Sequence, residues 1–150
     1  MADVTVWKVY LSGEIHSDWR EQIKKGAVEA GFPVSFSEPV IDHDASDMCG
    51  SKILGEEQSV FWRDHKSAGI NAIRTFTLIQ KADVVVVRFG PKYRQWNAAF
   101  DAGHAAALNK PLITLHDEEL DHALKEVDSS AKAVARSPQQ VVEILKYIFS

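Results

Sequence analysis

Three polar side chains, Asn97, Asp101 and His104, interrupt a stretch that is otherwise small and apolar: Ala98, Ala99, Phe100, Ala102, Gly103, Ala105, Ala106, Ala107 and Leu108. Spaced four and three apart, they fall within one narrow arc of a helix predicted over residues 95–109. A carboxylate is thereby set in line with an amide and an imidazole, a row that can hold a polar ligand. The same row arises if the arc is simply the solvent face of the helix, and spacing alone leaves both readings open. The remainder of the helix is apolar nearly all round, which predicts burial, its alanines and glycine letting neighbours approach closely. Immediately upstream, residues 84–87 are four consecutive valines. This run is too short for a membrane span and does not alternate, as expected of a parallel strand covered on both faces. Asp101 then lies just past the C-terminal end of a central strand, where open α/β sheets bind ligands.

The elements that must hold this row in place follow in chain order. VTVWKVYL, residues 4–11, is the first predicted strand and stops at Ser12-Gly13. Ser17 can cap a helix running to about Ala30, with Trp19, Ile23, Ala27 and Ala30 at core spacing. Gly31 suits the left-handed position after its last turn, and Pro33 forbids continuation. Residues 34–36 make a short second strand. Residues 38–66 are irregular, with a little helix expected near 52–57, and a segment of this kind usually carries function or a subunit contact. A helix over 67–81 leads into the valine strand. PLITL, residues 111–115, is a further buried strand; a helical turn follows near Leu120 and Leu124, and residues 131–135 form a weak fifth strand. Ser137, Pro138 and Gln140 then give a capped start to an amphipathic last helix with Val141, Ile144, Leu145 and Ile148 on its apolar side.

Alternating strands and helices predict a single α/β domain, a three-layer sandwich of flavodoxin-like or Rossmann-like form, because parallel neighbours need right-handed crossovers. Five strands in the order 2-1-3-4-5 put the switch point between the first strand and the valine strand. The crevice there is expected to be lined by Glu14, His16, Arg88, Tyr93, Gln95, Asn97 and Asp101.

The totals exclude several function classes. The 150 residues suit one domain with a core of its own. Net charge is −4 with no Lys/Arg-rich block, and pI is near 5.8, so a footprint for nucleic-acid backbone is missing. Cys49 is the sole cysteine, which forbids an internal disulfide and fits a reducing cytosol. No signal peptide or membrane span is evident, and a cytoplasmic protein without membrane partners is expected. Dinucleotide and P-loop glycine motifs are absent, as is a GxSxG nucleophile elbow, and Val87-Arg88 stands where a phospho-acceptor domain would carry aspartate. Asp42, His43, Asp44 and Asp47 form the most metal-like group. Their spacing matches no ligand motif, and such residues are common in turns, so a polar cleft wall or exposed turn is expected there and no metal.

Three stretches carry a family resemblance: VYLSGEIHSDWR, RTFTLIQKADVVVVRFG and QWNAAFDAGHAAALNKPLI. With them the chain resembles the nucleoside 2-deoxyribosyltransferase superfamily, most closely its YtoQ-type branch, over nearly its whole length. The resemblance implies a carboxylate that attacks C1′ of a (deoxy)ribosyl group and expels the nucleobase, leaving a glycosyl-enzyme for a second base or water to resolve. It implies Asp101 as that nucleophile, Tyr10 as the tyrosine that orients it, and Gly13 in the loop where backbone approaches the sugar. Ser12, Glu14, His16, Arg88, Gln95 and Asn97 are the further substrate-binding candidates. Glu14 is also a candidate second acid, since two carboxylates in one crevice can divide nucleophilic and proton-transfer roles. No cofactor is implied, and homo-oligomers, dimers or larger, are usual in the superfamily.

The chain departs from the superfamily pattern at several positions. Aspartate replaces the usual glutamate, one methylene shorter, and about 1 Å of lost reach can cost on the order of 100-fold in a positioned reaction. Gln95, Asn97 and Thr75 (with Arg74 adjacent) stand where the transferases carry aspartate, glycine and aspartate. Gln95 and Asn97 can each offer a donor and an acceptor to a base edge. Arg20 and the amides near Ser17 would favour a 5′-phosphate, while Glu14 and Asp18 oppose it, so an unphosphorylated nucleoside is preferred over a nucleotide. The alternatives are a nucleoside-sensing module that kept the pocket without the chemistry, and a metal-dependent hydrolase built on the 42–47 group.

Overall fold

The computed structural model describes residues 3–150. Five parallel strands run in the order β2-β1-β3-β4-β5: β1 Trp7–Gly13, β2 Val34–Ser37, β3 Val84–Arg88, β4 Leu112–Leu115 and β5 Ala133–Ala135. The helices are α1 Trp19–Ala30, α2 His43–Leu54, α3 Val60–Lys81, α4 Trp96–Ala107, α5 Lys125–Ser129 and α6 Pro138–Ile148. The predicted strand order and parallel pairing are those observed. No described helix is long and apolar enough to cross a membrane.

Alternation along each strand sorts the core into two layers. Val9 and Leu11 of β1, Val84 and Val86 of β3, and Ile113 and Leu115 of β4 pack against Trp19 and Ile23 of α1 and Val141 and Leu145 of α6. Tyr10, Val85, Val87 and Leu112 face the other way, against Ile79 of α3 and Ala98, Ala102 and Ala105 of α4. Ser12, two residues after Tyr10, therefore turns its hydroxyl toward α4 at the C-terminal end of β1. In register, Ser12 lies beside Val87 and Gly13 beside Arg88, so the loops after β1 and β3 leave the sheet together.

The irregular segment is more helical than its sequence suggests. α2 spans 12 residues instead of a short turn near 52–57, because the Asp42 carboxylate accepts the Ala45 amide at 2.9 Å and starts it. Gly55, at φ +98°, ends it. α3 begins at Val60, capped by Ser59, rather than at Ser67. The two helices cross at Gly50, where a Cβ would come within 2.5 Å of the Ser67 amide nitrogen. Ser67 Oγ fastens the crossing, donating to the Asp47 carbonyl at 2.6 Å and accepting from the Gly50 amide at 3.0 Å.

Two local expectations are corrected. Ser17 does not cap α1, whose first residue follows Asp18 with no side-chain cap; its hydroxyl is drawn instead to Glu14. α4 is buried on one face only, that of Ala98, Ala102 and Ala105, while Phe100 stays 72% exposed. Its small residues are therefore not evidence of neighbours on every side.

Candidate active site

The loop after β1 is built around two buried charged side chains. Arg20 of α1, 5% exposed, donates to the carbonyls of Leu11 at 3.2 Å, Gly13 at 3.1 Å and Glu14 at 2.8 Å. These bonds, with Glu38 Oε2 3.8 Å from Nε, turn the guanidinium into the loop. It lines neither hollow beside Asp101, which counts against the phosphate role its position suggested. Glu14, equally buried, accepts from Ser17 Oγ, from the His16 amide at 2.6 Å and from Arg88 Nε at 3.4 Å. Burial alone would push the Glu14 carboxyl up. The Ser17, His16 and Arg88 donors outweigh it and hold the group below the usual carboxylate range. A carboxylate so saturated stays ionised and suits loop anchoring better than proton donation. Its lowered pKa adds stability that is present above the ordinary glutamate value and lost as pH falls through the folded one. Glu14→Gln is therefore expected to cost about 2–3 kcal/mol at neutral pH, or roughly 5–10 °C in Tm. The difference should shrink below about pH 4 in a series of thermal melts.

Asp101 projects from α4 toward the end of β1, where Ser12 Oγ donates to its Oδ2 at 2.6 Å. Burial raises the Asp101 carboxyl above the usual aspartate value, against the opposing pull of the Ser12 hydrogen bond and the His104 charge. Tyr10 lies fully buried beneath, its hydroxyl near Thr75 but without a hydrogen bond of full geometry among the described residues. Burial pushes that phenol up to about 12 against the pull of Thr75, and the Asp101 charge acts in the same direction as burial. The direct hydrogen bond to Asp101 is thus made by Ser12, which stands two residues on from Tyr10 on the same strand face.

A hollow of about 600 Å³ opens over this pair. Ser12, Gly13, Glu14, His16, Gln95, Asn97 and Asp101 line it; Tyr10 and Arg88 do not. Arg88 is turned onto Glu14, and Tyr10 is sealed under the sheet end. Gln95 lines the hollow with its amide already committed. Its Oε1 accepts the Gly90 amide at 3.0 Å, and its Nε2 donates to the carbonyls of Lys92 at 2.6 Å and Tyr93 at 2.9 Å. It braces a tight loop in which Tyr93 adopts φ +69° and leans its ring on His16, centroids 4.9 Å apart. Asn97 keeps its amide free of protein hydrogen bonds among the described residues.

The opposite wall comes from the start of α2, with Val40, Ile41, His43, Ser46 and Asp47. The 42–47 group, expected as a polar cleft wall or exposed turn with a metal site as the alternative, does line the cleft, but from a helix whose start is marked by the cap at Asp42. A second hollow, about 910 Å³, lies between α3 and α4 and shares Ser46, Asp47, Asn97 and Asp101 with the first. Asp101 therefore stands at the neck joining two hollows.

The 42–47 group does not converge on a metal position. Among the described residues, His116, Asp121 and Asp128 are the group whose ligand atoms come close enough to hold an ion. Their polar atoms are already partnered: His116 Nε2 meets Asp128 Oδ2 at 2.8 Å, and Arg136 grips Asp121 at 2.6 and 3.1 Å. This network ties the end of β4 to α5, and nothing in it points to an ion.

Comparison with known proteins agrees with this architecture. Residues 10–149 match the family described as nucleoside 2-deoxyribosyltransferase YtoQ. The Bacillus subtilis (strain 168) protein YtoQ is 43% identical over 141 residues, covering 94% of this chain and 95% of that protein. Among solved structures, a conserved protein from Enterococcus faecalis V583 superposes with TM-score 0.63 at 13% identity, over 96% of this chain and 99% of that one. A 2-deoxyribosyltransferase from Bacillus psychrosaccharolyticus gives TM-score 0.54 at 15% identity over 90% of each chain. The molybdenum cofactor binding protein of Rippkaea orientalis gives 0.55 at 13% identity, over 99% of this chain and 100% of that one. At such identities the structural likenesses establish the fold alone. The family match and the close relative both span almost the whole chain, and the protein belongs to the nucleoside 2-deoxyribosyltransferase YtoQ family.

Proposed function

We propose that the protein cleaves or exchanges the N-glycosidic bond of a nucleoside, with Asp101 as the nucleophile. The observation that carries the reading is the Asp101 carboxylate at the meeting of two hollows, one oxygen fixed by Ser12 and the other free of protein hydrogen bonds among the described residues. Attack by the free oxygen on C1′ forms an ester to the sugar as the C1′–N bond breaks, and a second base or water reverses the displacement. Asn97 offers an unspent amide to the substrate. Gly13 gives the sugar close access to backbone, and His16 with Tyr93 forms an aromatic rim. Gln95 and Glu14 act through the loops they brace, Arg88 through Glu14, and Tyr10 supports Asp101 from below. With Arg20 turned onto loop carbonyls and lining neither hollow, an unphosphorylated nucleoside fits better than a nucleotide. No cofactor enters the scheme.

The test is incubation of the protein with deoxynucleosides and a competing free base, followed by chromatography. Base exchange or release that vanishes in Asp101→Ala supports the reading; turnover that survives the substitution overturns it. Saturable nucleoside binding without turnover would favour a sensing role instead, a reading to which the short, hydrogen-bonded Asp101 side chain lends some weight. Ser12→Ala is expected to lower kcat about 10- to 100-fold with a smaller change in KM, because it frees the carboxylate to rotate without removing a substrate contact. A homo-oligomer in the cytosol is part of the proposal. Exposed Val60, Phe61 and Trp62, which line neither hollow, support the first, and the lone Cys49 the second. Sedimentation velocity measures the assembly.

A further inference from the structure

Expelling a nucleobase requires a proton as well as a nucleophile, since an unprotonated purine or pyrimidine anion is a poor leaving group. Asp101 cannot supply both. Glu14 is ionised and saturated with donors, and Tyr10 is sealed away with its pKa pushed up to about 12. His16 and His43 line the first hollow, where the sugar meets Gly13; on the far side of Asp101 the second hollow holds one imidazole. His104, one turn beyond Asp101 on α4, lines the second hollow and not the first. Its ring is held between two aromatic neighbours, 4.4 Å from the Phe76 centroid and 6.2 Å from that of Phe100. Around it the hollow carries Asp47 from α2, Asp64 from α3 and Asp101 from its own helix, and no lysine or arginine lines it.

Resting on the glycosyl-transfer reading above, we propose that the second hollow receives the nucleobase and that His104 is the general acid that protonates it. In the first step the free Asp101 oxygen bonds to C1′, the C1′–N pair returns to the base nitrogen, and His104 gives its ring proton to the base. In the second, His104 takes a proton from the incoming base or water as that nucleophile bonds to C1′ and the ester to Asp101 breaks. Phe76 and Phe100 flank the departing ring with apolar surface, and Asn97, common to both hollows, spans the join between sugar and base.

The experiment compares two leaving groups on the same sugar. One is an ordinary nucleoside that the wild type accepts. The other needs no proton to depart, either 4-nitrophenolate or an N7-methylated purine. His104→Gln is expected to cost about 10²- to 10⁴-fold on the ordinary nucleoside and less than about 10-fold on the activated glycoside. Free imidazole should restore part of the lost rate in His104→Ala. Equal losses on both substrates, with no restoration by imidazole, overturn the assignment of His104 and leave Asp101 untouched. A wild type that turns over neither substrate overturns the glycosyl reading and this assignment with it.

Discussion

Asp101→Asn is expected to abolish base exchange and base release while making the protein more stable at neutral pH. The two effects share one cause. Loss of a covalent nucleophile costs on the order of 10⁴-fold or more where it has been measured in other enzymes, and an amide cannot form the glycosyl ester. The same exchange removes a buried negative charge and keeps the Ser12 hydrogen bond, which the asparagine carbonyl can accept. Because the Asp101 pKa is raised in the folded protein, its contribution to stability is full below the ordinary aspartate value and is lost as pH rises through the folded one. The variant should therefore melt above the wild type at pH 7, by about 2–4 °C for each kcal/mol gained. The gap should close as pH approaches about 3.9, the ordinary aspartate value. That slope is opposite to the one expected for Glu14→Gln, so a pair of melting series separates the roles proposed for the two carboxylates. A variant less stable than wild type at pH 7 would show that Asp101 serves the fold.

Gly13→Ala is expected to be the most destabilising single change in the site. Gly13 adopts φ +121°, a region open to glycine and strained for other residues. An added Cβ would sit 2.1 Å from the Arg88 carbonyl oxygen and 2.8 Å from the Arg88 nitrogen. Both are backbone atoms of β3, so no rotamer change relieves the clash. The Glu14 amide donates to that same Arg88 carbonyl at 3.1 Å, and the chain cannot shift away without breaking the junction of β1 and β3. A loss above about 4 kcal/mol is expected, seen as a fall of 10 °C or more in Tm or as failure to recover soluble protein. Gly103→Ala makes the control. Its Cβ would meet nothing within 4 Å, and within a helix alanine is favoured over glycine. Equal stability of the two variants would refute the close backbone approach.

The sheet was legible in the sequence because its strands are short, β-branched and separated by helices, which leaves little choice of topology. The meeting of the loops after β1 and β3 followed from that order. α2 was obscured because it is largely exposed and carries little apolar periodicity, and the first turns of α3 because Val60, Phe61 and Trp62 stay exposed. Only Asp42 and Ser59, with their caps, betray where they start. Side-chain commitments were hidden for another reason. Gln95, Glu14 and Arg20 look like ligand-binding groups by type, yet each is consumed by backbone or by a neighbour that only the folded chain brings near. Ser12 and Asp101 are 89 positions apart in sequence, and no local pattern announces their hydrogen bond.

The crossing at Gly50 has a bearing on ligand size. Since α2 leans on α3 rather than on the sheet, the gap facing Asp101 is gauged by how closely those two rods can touch, and that distance is allowed by a missing methyl group. Restoring one carbon at that point would wedge the rods apart and widen the mouth without disturbing a single strand. Gly50→Ala would thus change the size of molecule that can reach Asp101 and leave the sheet as it is.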